Sequence, residues 1–124
     1  MNTGVDLVDV GEVADALEHF GERYLRRIHR AEELTGHDGH SPARRAQHFA
    51  GRFAAKEAVF KALHYPSDRA LPWTDIQIIS TPGGWPGVVL HDRARGWATS
   101  QGISQVELSI THDRTMAMAF AVAV

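Results

Sequence analysis

Four charged side chains sit on a stretch of sequence that otherwise has no use for them. In "FAGRFAAKEAVFKAL", residues 49–63, Arg52, Lys56, Glu57 and Lys61 interrupt a run of alanine, phenylalanine and other apolar residues. Lys56 and Lys61 are the only lysines in the chain, which carries its remaining positive charge on eleven arginines. Lysine is a compact point charge on a flexible stem and binds phosphate oxygens well. A carboxylate among such cations can hold a hard ion such as Mg²⁺ that bridges anionic oxygens. The residue types therefore suit the recognition of a phosphorylated ligand. They equally suit a plain helix, in which Glu57 and Lys61 pair at i,i+4 for about 0.2–0.5 kcal/mol and the long side chains reach out to water. Spacing alone leaves both readings open.

The segment must be helical for either reading to hold. At about 100° per residue, Phe49, Phe53, Phe60 and Leu63 form one stripe, with Lys56 inside it and Arg52 at its edge. Gly51, Ala54, Ala55, Ala58 and Ala62 form a small-residue side that permits close backbone approach. A helix that is apolar or small nearly all round is buried, and buried charges are costly unless paired or bound.

Around this helix, predicted from about residue 43 to 63 and stopped by Pro66, the other elements follow from pattern. "GVDLVDV", residues 4–10, reads as a strand, and Val13, Ala16, Leu17, Phe20, Tyr24 and Ile28 recur at helical spacing after it. "TGHDGHSP" is a turn-former cluster and the one long loop. Its histidines have a metal-like spacing, but a structural zinc site needs about four ligands and nothing adjacent supplies them, so a solvated loop is expected. "WTDIQIIS" and "GVVLHD" flank a glycine-rich turn and predict a hairpin. "DRARGWATSQG" predicts a short helix closed by Gly102. A final hairpin places Val106, Leu108, Ile110 and His112 on one face. Its return strand puts Met116, Met118, Phe120, Val122 and Val124 on one face and alanines on the other. A strand apolar on both faces is central or lies in a subunit contact. The order β-α-α-β-β-α-β-β predicts an α+β fold, a mainly antiparallel sheet packed against the long helix, in one domain spanning residues 1–124.

Composition narrows the function classes. The 124 residues, 44% hydrophobic and 23% charged, describe an ordinary globular chain. A formal charge of −2 argues against wholesale attraction to nucleic acid or anionic membrane. The absence of cysteine excludes disulfides and thiol chemistry. No membrane-length apolar run or secretory pattern is present, so a cytoplasmic location is expected.

The central stretch closely resembles the core motif of 4′-phosphopantetheinyl transferases of the holo-acyl-carrier-protein synthase type. "GVDLVDV" is similar to that family's first strand, "YLRRIHRAEEL" to the segment after its first helix, and "LSITHD" to its strand ending in Ser-x-x-His. The resemblance implies transfer of the phosphopantetheine arm of coenzyme A to a serine of an apo-acyl carrier protein, releasing adenosine 3′,5′-bisphosphate. It implies a homotrimer with sites at the subunit boundaries. Carried over residue by residue, Asp6 and Glu57 hold Mg²⁺, and Lys61 contacts the pyrophosphate. Arg52 and His112 lie towards the 3′-phosphate end of coenzyme A, and Lys56 is a further phosphate contact. The serine proton leaves to Glu57, to Asp113 or to a metal-bound water. Arg23, Arg26, Arg27 and Arg30 form a basic run suited to an acidic carrier, with Arg23 and Arg27 matching the family's docking positions. Extra arginines near the first helix and "DRTM" after His112 depart from the family pattern and bear on which carrier is served, fatty-acid, polyketide or other. Two other readings remain: a coenzyme A or nucleotide-binding module without turnover, and a nucleic-acid-binding domain using the arginine run.

Overall fold

The computed structural model describes residues 1–124. Its centre is the long helix α3 (Pro42–Ala62), opened by Ser41, whose hydroxyl accepts from the Arg44 backbone N–H, and by a proline at the first helical turn. Against it lies a three-stranded antiparallel sheet of β1 (Asn2–Asp9), β5 (Met116–Ala123) and β4 (Val106–His112), with β5 in the middle. Of the two placements expected for the last strand, central or in a subunit contact, the sheet shows the central one.

Small residues bring helix and sheet together. Ala117, Ala119, Ala121 and Ala123 of β5 face Ala54, Ala55, Ala58 and Ala62 of α3 in one buried core. Gly4 is required at the closest point: a Cβ there would fall 2.0 Å from the Ala58 carbonyl oxygen. Strand parity then fixes what else points at the helix. Asp6 pairs with Ala119, and His112 with Ala117, so both belong to the helix-facing side, on opposite edge strands.

The other face of the sheet carries Val5 opposite Phe120 and Leu7 opposite Met118. It is open, with Leu7 60% and Phe120 46% exposed.

The helical pattern after β1 divides in two. α1 (Val10–Phe20) stops at Gly21, whose φ of 56° only glycine adopts readily, and α2 (Glu22–Ile28) starts after it. The predicted single helix is thus two, because one residue with positive φ outweighs a continuous apolar period. A 3-10 turn (Ala31–Leu34) and the loop to Ser41 lead into α3.

Beyond α3, residues Trp73–Asp75 form a second 3-10 turn rather than the start of a strand. β2 (Ile76–Ser80) and β3 (Pro86–Leu90) make the expected hairpin, but as a separate two-stranded sheet. α4 (Asp92–Ser100) follows and ends near Gly102, which has a φ of 71°.

Candidate functional site

The four charged residues of α3 have four different environments. Lys56 is 0% exposed and its ammonium is fully engaged. It donates to Glu33 Oε1 at 2.9 Å, to the Trp73 carbonyl at 3.2 Å and to the Ile76 carbonyl at 2.5 Å. Three donors meet three acceptors, so Lys56 has no proton to offer a phosphate. The expectation that it contacts coenzyme A is corrected here: it is the buried clasp between α3 and the turn before β2.

Glu33 completes the clasp. Its carboxylate also accepts from the backbone N–H of Arg30 at 2.8 Å and of Ile78 at 3.2 Å. Burial alone would raise its pKa, but the His29 and Lys56 side chains and the Arg30 amide outweigh that and hold it at about 2. Sequence reading missed Glu33. The available signal was the buried lysine itself, which demanded an acidic partner.

Glu57 and Lys61 do not pair along the helix. Glu57 Oε1 instead accepts from the indole Nε1–H of Trp73 at 2.5 Å, and Trp73 packs edge-on against Phe53 at 5.5 Å. Lys61, half exposed, donates to the Val5 carbonyl at 2.9 Å and lies 3.3 Å from Asp6 Oδ1. Lys61 thereby ties α3 to Asp6 of β1, and Glu57 lies one helical turn earlier on α3. Beside Glu57 a cavity of about 480 Å³ is lined by Arg27, Phe60, Arg69, Leu71 and Trp73 among others.

Arg52 lies five residues before Glu57, about 7.5 Å along the helix axis. It donates from Nη2 to Ser80 Oγ at 2.9 Å, while its Nη1 is buried without a partner. It lines a second cavity of about 380 Å³ together with His37, His48, Gln77 and Ser80. The histidine loop is not simply solvated: His37 packs at a tilt against His48 of α3 with ring centroids 4.0 Å apart, and both rings contact Phe49. Burial, then the neighbouring His37 and Arg52, press His48 down to about 3, so it is neutral at ordinary pH.

The remaining residues fall outside this cluster. His112 ends the edge strand β4 with its ring exposed and without a hydrogen bond in the chain. Asp113 accepts from the Thr115 and Met116 backbone N–H groups, each at 2.8 Å, and these bonds lower its pKa. It shapes the β4–β5 turn and is poorly suited to taking a proton. Arg23, Arg26 and Arg27 are exposed on α2, whereas Arg30 turns inward and donates to the Thr74 carbonyl at 3.1 Å. The basic run thus contains three surface cations, not four.

Comparison with known proteins bears on this arrangement. Residues 2–121 match the family model of the 4′-phosphopantetheinyl transferase superfamily. The chain belongs to this superfamily. A holo-[acyl-carrier-protein] synthase of Desulforudis audaxviator is 42% identical over 126 residues, covering 100% of this chain and 92% of its own. One from Koribacter versatilis is 35% identical over 119 residues, covering 96% and 94%. Among solved structures, the holo-[acyl-carrier-protein] synthase of Neisseria meningitidis superposes with a TM-score of 0.85 at 31% identity, over 99% of this chain and 97% of that one. The Helicobacter pylori enzyme, solved in complex with coenzyme A, gives a TM-score of 0.81 at 26% identity over 98% and 99%. Within the superfamily the chain is an enzyme of the holo-[acyl-carrier-protein] synthase type.

Proposed function

We propose that this enzyme transfers 4′-phosphopantetheine from coenzyme A to a serine of an apo-acyl carrier protein in the presence of Mg²⁺, releasing adenosine 3′,5′-bisphosphate. The observation that supports the reading is the contact of half-exposed Lys61 with Asp6 across the α3–β1 interface, one helical turn from Glu57, which lines a cavity.

The donor set fits Mg²⁺. Both carboxylates supply hard oxygens from rigid elements, and Glu57 Oε2 makes no hydrogen bond within the chain. Mg²⁺ is commonly held by one or two carboxylates with phosphate and water completing the shell. When bound, the ion neutralises charge on the pyrophosphate as the bond to the leaving group breaks.

The chain's own residues do the rest. Lys61 exchanges its weak contact with Asp6 for the pyrophosphate oxygens, adding positive charge where negative charge develops. The unpartnered Nη1 of Arg52 supplies a donor for the 3′-phosphate end of coenzyme A. His112, exposed at a sheet edge, is available to a site completed between subunits. Arg23 and Arg27 attract the acidic carrier, and Arg27 also borders the Glu57 cavity. The turn role of Asp113 leaves Glu57 or bound water to receive the serine proton.

Residues 1–124 act as one domain in this reading, and three copies associate through the open sheet face. A cytoplasmic location goes with the carrier substrate, and no helix is long and apolar enough to cross a membrane. The rival reading is a module that binds coenzyme A without turnover. Calorimetric titration with coenzyme A, paired with intact mass of a panel of apo-carriers after incubation with coenzyme A and Mg²⁺, separates the two. Binding with a mass gain on one carrier supports transfer, and binding with no gain on any carrier supports the module.

A further inference from the structure

The turn before β2 is held at three consecutive residues. Lys56 donates to the Trp73 carbonyl, Arg30 donates to the Thr74 carbonyl, and Asp75 Oδ2 accepts from the Arg93 and Ala94 backbone N–H groups at 2.9 and 3.2 Å. Asp75 is itself buried. What the turn presents outward is the Trp73 indole, whose N–H reaches Glu57 Oε1 while its ring rests on Phe53, one turn earlier on α3.

We infer that Trp73 is a positioning residue: its indole occupies one oxygen of Glu57 and leaves the other in a fixed orientation for a single bond to the metal. The inference rests on the proposed metal role of Glu57. A glutamate side chain has three rotatable bonds, and an unbound carboxylate on a helix surface samples several rotamers. Fixing it beforehand removes that entropic cost from metal binding. It also directs the metal to Oε2 alone. Hydrogen-bond partners of metal ligands commonly matter by about 10–100-fold in metal affinity or activity. The Lys56–Glu33 pair acts one step further back, by holding the turn that holds the indole.

Trp73→Phe keeps the ring on Phe53 and removes only the N–H. The expected result is a rise of about 10–100-fold in the Mg²⁺ concentration for half-maximal transfer, with turnover largely recovered at saturating Mg²⁺ and an unchanged thermal midpoint. A wild-type Mg²⁺ requirement in that variant overturns the inference. A purely structural role would instead lower the midpoint and leave the Mg²⁺ requirement alone. A second readout is independent of activity. In ¹⁵N-labelled wild-type enzyme, Trp85→Phe and Trp97→Phe identify the Trp73 indole resonance by elimination. Paramagnetic Mn²⁺ should broaden that resonance at lower concentration than the other two. Equal broadening of all three overturns the inference even if Trp73→Phe fails to fold. Transfer that proceeds without any divalent metal overturns the proposed reaction instead.

Discussion

Lys61 Nζ lies 3.3 Å from Asp6 Oδ1, joining the helix that carries Glu57 to the first strand. Half of the lysine side chain is exposed, so the pair contributes little to stability, about 0–1 kcal/mol. A contact of that kind is easily exchanged for a pyrophosphate. Lys61→Ala should therefore leave the thermal midpoint nearly unchanged and lower turnover by two orders of magnitude or more, the scale on which lost electrostatic stabilisation of a developing charge is felt. Asp6→Ala and Glu57→Ala should each nearly abolish transfer at limiting Mg²⁺. Steady-state rates measured across a Mg²⁺ series check all three, and wild-type turnover in either carboxylate variant refutes the metal assignment.

Lys56 should behave in the opposite way. Removing one member of a buried ion pair strands the other, at a cost of about 3–5 kcal/mol. Lys56→Met is expected to destabilise the fold by that order, and Glu33→Gln combined with it should restore much of the loss. Because the folded pKa of Glu33 is depressed from 4.5 to about 2, its stabilisation is fully present above its unfolded value. It is lost as pH falls from there towards 2. Chemical denaturation of the single and double variants at pH 7 and pH 4 measures both effects. A large rise in the coenzyme A KM with unchanged stability would return Lys56 to the phosphate site.

These two lysines mark where sequence reading succeeds and where it stops. The helix carrying them and its small-residue side follow from local periodicity, and the structure has the helix within a residue or two; for β5 periodicity gave two apolar faces, and the sheet order settles that it is central. Which lysine is buried does not follow, because Glu33 and the Trp73 turn come from segments 23 and 17 residues away. Gly21 is similarly silent: a continuous apolar period hides a backbone break that only φ reveals. Trp73 could have been suspected from "LPWTD", an aromatic after proline, but its donor role depends on the position of Glu57. The separation of β2–β3 from the main sheet is likewise a matter of long-range pairing.

The exposed arginines of α2 predict a salt effect. The Debye length shrinks from about 10 Å at 0.1 M salt to about 3 Å at 1 M. Raising salt should increase the KM for the carrier far more than that for coenzyme A. Arg23→Glu or Arg27→Glu should copy the effect, mainly through slower association. Arg30→Glu should act differently, by destabilising the Trp73 turn. Equal salt sensitivity for both substrates would leave the run as a solvated helix face.

Assembly is tested at the open sheet face. Val5, Leu7, Met118 and Phe120 form a contiguous apolar surface on adjacent strands. Surfaces of this kind are usually covered. Phe120→Glu should convert a homotrimer to smaller species in light scattering at micromolar concentration, and a monomeric wild type would refute the assembly.

The most direct test of the central claim, that the charges of α3 and β1 serve metal-dependent phosphopantetheine transfer, is the intact mass of a purified apo-acyl carrier protein. It is incubated with the enzyme and coenzyme A, with Mg²⁺ or with a chelator, alongside a carrier whose acceptor serine is alanine. Metal-dependent transfer gives a gain of one phosphopantetheine only with Mg²⁺ and only on the serine-bearing carrier, lost in Glu57→Ala. An unmodified carrier across all known carrier classes, or equal modification under chelation, would contradict it.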